Sequence, residues 1–207
     1  MFPWDPAAPE GAPHSDQSVA PARFQNYGRF DLQGKPPVLY LAESPAHAVA
    51  EALRGQLRDP SRERGLRHSL TDSDLVAGGF PRALVEVRLP AALAKRIPDT
   101  SEGRTLLRFG IRADHLASKL RGLTQGATRR IHSHPDAVPG FVWSSRFGGD
   151  WHVVLLFLDR VSLHELVFGT PEPLRLDHPA VLEAATALHV DVVHTVRRAH
   201  RDTEAGR

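Results

Sequence analysis

An arginine, a tyrosine and a glutamate stand at equal gaps of eleven residues: Arg29, Tyr40 and Glu51. They lie in one stretch, Gln25 to Glu51, which reads QNYGRFDLQGKPPVLYLAESPAHAVAE. A guanidinium suits phosphate oxygens, and the Tyr27-Gly28 pair ahead of Arg29 lets backbone approach a ligand. A tyrosine ring offers a face on which a planar base can stack. A carboxylate can hold a hydroxyl or stabilise nearby positive charge. Together the three suit a dinucleotide with a cationic base. Each also has a plainer reading, as a surface arginine, a core tyrosine and a solvated glutamate.

The order of local signals predicts how the three are held. A Gly- and Lys-containing loop leads to a short strand, Val38–Ala42, bounded by Pro36-Pro37 and Ser44-Pro45. Period-two alternation puts Val38 and Tyr40 on one face. Ser44 caps a helix with Pro45 at its first position, running to about Leu57. With Val49, Leu53 and Leu57 on the buried stripe, Glu51 falls on the polar face, with His47 four residues back and Arg54 three ahead. Periodicity alone does not say whether that face lines a cleft or meets open water.

A second segment, Gly140 to Phe157 (GFVWSSRFGGDWHVVLLF), carries Ser144 and Ser145 just before a Gly-Gly turn. Either hydroxyl could serve a site, and either could be turn chemistry. Other constellations are missing. The chain has no Gly-x-Ser-x-Gly and no Gly-rich phosphate loop. Among twelve histidines, His132 and His134 alternate, but no His-Glu-x-x-His or other ligand spacing occurs, so no metal is expected. With no cysteine, disulfides, thiolate nucleophiles and Cys-based zinc sites are excluded.

Composition bounds the rest. The 207 residues, 41% of them hydrophobic, suit one cored domain. No run approaches the roughly 18 apolar residues of a membrane helix. The start lacks a basic region followed by an apolar one, so no membrane and a cytoplasmic location are expected. Net charge is +2 and the basic residues are dispersed apart from Arg129-Arg130 and Arg197-Arg198, so direct nucleic-acid binding is not expected.

Residues 1–22, rich in Pro, Ala and Gly, read as an extended N-terminal arm, and 23–207 as a single domain. Arg58–Gly79 reads as a long polar excursion. Strands are expected over Ala83–Leu89, Trp151–Leu158 (the central one) and Ser162–Phe168. Helical pieces are expected at Leu93–Ile97, Arg112–Leu120 and Thr124–Ser133. A long helix is expected over 178–200. Strands and helices mix without regular alternation, so the class is α+β.

The pieces QNYGRFD, VLYLAESPAHAVAE, Thr124-Gln125 and Gly140–Ser145 with the LLF of Leu155–Phe157 resemble the RES-domain family of bacterial toxin–antitoxin pairs, over roughly residues 20 to 160. The resemblance puts the family's arginine on Arg29, its tyrosine on Tyr40 and its glutamate on Glu51. Its serine falls best on Ser145, with Ser144 one slip away. Trp143 stands where a tyrosine is common. The likeness implies a mixed β core with flanking helices similar to ADP-ribosyltransferases. It implies an activity that cleaves the nicotinamide–ribose bond of NAD+, with NAD+ as substrate rather than cofactor. Arg29, Tyr40 and Ser145 would then bind the dinucleotide and Glu51 would act at the ribose. Water, phosphate or a protein side chain could be the acceptor, giving a glycohydrolase, a phosphorylase or a protein ADP-ribosyltransferase. An inactive RES-like binding module is the alternative of another class. The family also implies a cognate antitoxin with an Xre-like DNA-binding domain; self-association into a homo-oligomer is left open.

Overall fold

The protein is seen here as a computed structural model that describes residues 1–9, 14–15, 28–32, 37–53, 69–145 and 150–194. In chain order these form β1 (Phe2–Pro3), β2 (Val38–Ala42), α1 (Pro45–Leu53), β3 (Ser69–Leu70), β4 (Val76–Ala77), β5 (Phe80–Leu84) and β6 (Val87–Arg88). There follow α2 (Ala91–Ala94), α3 (Gly103–Phe109), α4 (Ala113–Ala117), α5 (Arg121–His132), β7 (Gly140–Ser144) and β8 (His152–Phe157). The last are β9 (Val167–Phe168), β10 (Glu172–Pro173), α6 (Pro179–Ala187) and β11 (Asp191–Val192). The class is α+β.

The scaffold is an antiparallel three-stranded sheet in the order β2-β8-β7. Its register sets Tyr40 opposite Leu155 and Leu155 opposite Phe141. The strand residues alternate between two clusters, as a pleated sheet covered on both faces requires. One face carries Val38, Phe141, Trp143, Val153, Leu155 and Phe157, packed with Phe30, Phe109 and Ile131. The other carries Leu156, with Leu39, Leu41 and Val154 at its margin, against Leu93, Val161 and Leu166. Burying each large apolar side chain here contributes about 1.5–3 kcal/mol. Gly140 allows β7 to approach β8, because a Cβ on it would fall on the carbonyl oxygen of Leu155.

Helix α1 begins where Ser44-Pro45 predicts. The His47 amide donates to Ser44 Oγ at 3.2 Å, and Pro45 occupies the first helical position, where it has no amide to leave unpaired. One face of α1 buries Val49, Ala50 and Leu53 against Ala180, Val181 and Ala184 of α6. Arg54 and Leu57, expected in the same helix, lie outside the described residues, as do 58–68 of the long excursion.

Three expectations need correction. The C-terminal helix is not 178–200: α6 ends at Ala187, Leu188 caps it, and His189 takes a left-handed φ of 55°. The β-branched pair that follows favours extension over helix, and Asp191–Val192 pairs parallel with β3. Residues 195–207 lie outside the described residues. Ser162–Phe168 is not one strand, because Ser162 opens a single 3-10 turn over Leu163–Glu165. The Ser162 amide donates to Glu165 Oε1 at 3.1 Å, and its Oγ accepts from the His164 amide at 3.3 Å, a reciprocal cap that competes with a ladder. Nor is Ala83–Leu89 one strand, because β5 ends at Leu84 and β6 spans only Val87–Arg88, paired with β9. At the start of the segment read as an extended arm, Phe2–Pro3 pairs antiparallel with Ala83 and Arg82 of β5.

Candidate active site

The loop Gly28–Leu32 is folded around one carboxylate. Asp31, 4% exposed, accepts from the Gly28 amide at 2.9 Å through Oδ2 and from the Tyr40 hydroxyl at 2.6 Å through Oδ1. The Phe30 amide in turn donates to the Tyr40 oxygen at 3.2 Å. A Cβ on Gly28 would sit 2.6 Å from that same oxygen, so a larger residue there would push the Tyr40–Asp31 pair apart. Helix α5 clasps the loop from the other side. Thr124 Oγ1 donates to the Arg29 carbonyl, and Gln125 Nε2 donates to the Gly28 carbonyl at 3.2 Å. The Arg29 guanidinium is held by the carbonyls of Leu116 and Ser118, 2.5 and 3.1 Å from Nη2.

Tyr40 sits at the edge of the core. Its ring meets Trp143 edge-on at 6.0 Å while its side chain is 38% exposed. Its hydroxyl is enclosed: burial first, then the charge of Asp31, pushes its ionisation well above the usual tyrosine value. The ring is therefore a fixed, neutral wall.

Glu51 lies two turns into α1 and is 29% exposed. Ser145, just past β7, donates its hydroxyl to Glu51 Oε1 at 2.7 Å. His47 Nε2 lies 3.6 Å from the same oxygen, a distance for charge attraction rather than a hydrogen bond. Burial pushes the Glu51 carboxyl up. The approach of His47, the Ser145 hydrogen bond and the charge of Arg29 outweigh it, and the group is held below its ordinary value of 4.5. Glu51 is thus ionised at neutral pH. Ser145 is itself placed by the hairpin, because its amide donates to the Trp151 carbonyl at 2.6 Å.

Arg29, Tyr40 and Glu51 line one cleft of about 1110 Å³, along with Trp143. Ser145, 8% exposed, joins them through its bond to Glu51. Ser144 is exposed, on the strand opposite His152. The α1 face that carries His47 and Glu51 is therefore not a solvated one. Lys119 and Arg121, at the α4–α5 junction, also line the cleft and went unnoticed in the sequence, as did the role of Asp31. Thr124-Gln125 stood out only as a matching dipeptide. Their one intrinsic signal is polar side chains on a buried helix face, 0% and 5% exposed.

Among the described residues no group of three or more His, Asp or Glu side chains is placed to hold a metal ion, and no helix is long and apolar enough to cross a membrane.

An α+β domain thus brings a cation, an aromatic ring and an ionised carboxylate to one cleft. The RES-domain family model matches residues 3–177, and the chain belongs to that family. RES domains are known from toxin–antitoxin systems, which gives this chain a toxin-like family role. The match starts inside the segment read from sequence as a separate arm and runs beyond residue 160, so it covers more of the chain than the sequence pieces marked. Comparison with curated proteins and with solved structures returned no match.

Proposed function

We propose that this chain is a toxin-like enzyme that cleaves the nicotinamide–ribose bond of NAD+, with water or phosphate as acceptor, on a fold akin to that of ADP-ribosyltransferases. The observation that carries the reading is the anchored carboxylate: Glu51, bonded to Ser145 at 2.7 Å, in the same cleft as Tyr40 and Arg29.

The chemistry asks for one carboxylate. When the C1′–N bond breaks, its electron pair goes to the pyridinium nitrogen and nicotinamide leaves neutral. No acid is needed to protonate the leaving group, unlike glycoside hydrolysis, where a second carboxyl does so. Positive charge grows on the ribose, and an ionised Glu51 at its face stabilises that charge and holds a ribose hydroxyl. Tyr40 walls the nicotinamide end. Arg29, with Lys119 and Arg121 nearby, faces the pyrophosphate. Ser145 fixes the carboxylate through its 2.7 Å bond and positions the ribose beside it. A cleft above the usual 300–1,000 Å³ of small-ligand pockets suits a dinucleotide. Water then yields ADP-ribose and a proton; phosphate yields ADP-ribose 1″-phosphate. Drained NAD+ calls for restraint, and a cognate antitoxin with an Xre-like domain that covers the cleft would supply it.

Purified protein incubated with NAD+, with and without phosphate, should release free nicotinamide, and the ribosyl product identifies the acceptor. Glu51→Gln should lower the rate on the order of 10²- to 10³-fold. NAD+ left intact over hours by the wild-type protein, or a Glu51→Gln variant as fast as wild type, would overturn the proposal. Label from adenylate-labelled NAD+ appearing on protein would replace it with ADP-ribosyl transfer.

A further inference from the structure

His47 is the most conspicuous buried polar side chain that the proposed chemistry leaves unused. It is 1% exposed, and neither ring nitrogen has a hydrogen-bond partner among the described residues. A buried imidazole in that state costs free energy that an apolar side chain would not. Its ring stacks on Trp151 at 4.9 Å and 30°, which fixes the ring plane. Glu51, one turn on, presents Oε1 3.6 Å from Nε2. That is the oxygen already taken by the Ser145 hydroxyl.

We propose that His47 is a positioning residue: with Ser145 it holds Glu51 by Oε1, so that Oε2 is the oxygen turned to the cleft. Both anchors converge on one oxygen, one from within α1 and one from the β7–β8 hairpin. A carboxylate held by Ser145 alone can pivot about that bond. A second donor on the same oxygen stops the pivot. Closing the gap from 3.6 Å to hydrogen-bond length needs only a small shift along α1, and it would satisfy the buried nitrogen at the same time. The donor is then the Nε2–H of the imidazole.

The charged and polar groups acting on Glu51 are His47 on its own helix, Ser145 from the hairpin and Arg29 from the loop ahead of β2. Replacement of His47 alone leaves the other two in place. The inference rests on Glu51 being the working carboxylate, so the test has one reading that needs no NAD+. Side-chain carboxyl NMR titration of Glu51 is compared in wild type, His47→Leu, His47→Phe and His47→Gln, alongside nicotinamide release and the thermal unfolding midpoint. Both apolar variants should move the Glu51 titration upward while keeping or raising the unfolding midpoint. They should lower kcat on the order of 10- to 100-fold with KM little changed. His47→Gln, which restores a donor, should bring the titration and kcat back toward wild type. The phenylalanine variant keeps a ring against Trp151, so a folding defect in the leucine variant does not remove the readout. A Glu51 titration unmoved by both apolar variants, or a glutamine variant no better than leucine, overturns the inference. Wild-type protein inert toward NAD+ overturns the proposed reaction instead, and the titration still decides the role of His47.

Discussion

Ser145 and Glu51 are 94 positions apart in the chain and 2.7 Å apart in space. That single bond makes the two serines of the hairpin unequal. Ser145→Ala should lower nicotinamide release on the order of tenfold or more, because the carboxylate loses its shortest anchor. Ser144→Ala, at an exposed strand position, should stay close to wild type. Steady-state rates of the two variants side by side check this. The pH dependence follows from the same contacts. Glu51 is held below its ordinary 4.5, so protonation should not limit the rate at neutrality, and the acid limb should lie below about 4.5. In Ser145→Ala the limb should move up, since burial then meets less opposition; a pH–rate profile reads it. The sign for stability agrees. A depressed carboxyl contributes stability above its unfolded value, and that contribution is lost as pH falls through the folded value. Arg29, Tyr40, Glu51 and the serine pair were singled out in the sequence by type and spacing, and only the family resemblance joined them into one expected site. His47 was legible as the neighbour of Glu51 one turn back but not as a buried group, and Asp31 was not legible as a partner, since a buried contact leaves no mark in local periodicity.

At the scale of elements, the sheet that carries the site depends on one close approach. Gly140→Ala should destabilise the protein by about 1–3 kcal/mol or more, because the added methyl meets backbone that cannot rotate away. Denaturant unfolding measures it, with the m value unchanged if the fold is kept. Strands β2 and β8 and the start of α1 were readable for local reasons: apolar runs between turn signals, and a serine cap followed by proline. Helix α3 was not expected. It starts at Gly103, and Leu107 within it is 83% exposed, so it shows neither a good cap nor an inward stripe. The stop of α6 was missed because Pro179 and the basic pair Arg197-Arg198 read as the two ends of one helix, while the left-handed turn at His189 leaves no such mark.

At the scale of the molecule, the cleft draws on distant parts of the chain: Phe2 of β1, the Arg29 loop, α1, the α4–α5 junction and Phe168 of β9. A ligand that touches all of them stabilises the fold by mass action. In a Glu51→Gln protein, where turnover is slowed, NAD+ at a hundred times its Kd should add about 2.7 kcal/mol and raise the unfolding temperature. ADP-ribose lacks the nicotinamide and should raise it less at equal concentration; thermal scans with the two ligands compare them. The α+β class was readable from the irregular mix of elements. The pairing of β1 with β5 and of β11 with β3 was not, because strands of two residues carry no period to detect.

Two of the chain's three tryptophans flank this chemistry: Trp143 edge-on to Tyr40, and Trp151 against His47. The protein therefore carries its own optical reporter. A nicotinamide ring entering beside Tyr40 should dim indole emission from Trp143, so occupancy can be followed by light without any label. Trp151, stacked on the imidazole, should change its emission when His47 is replaced by leucine, and the two signals can be separated by replacing either indole with phenylalanine.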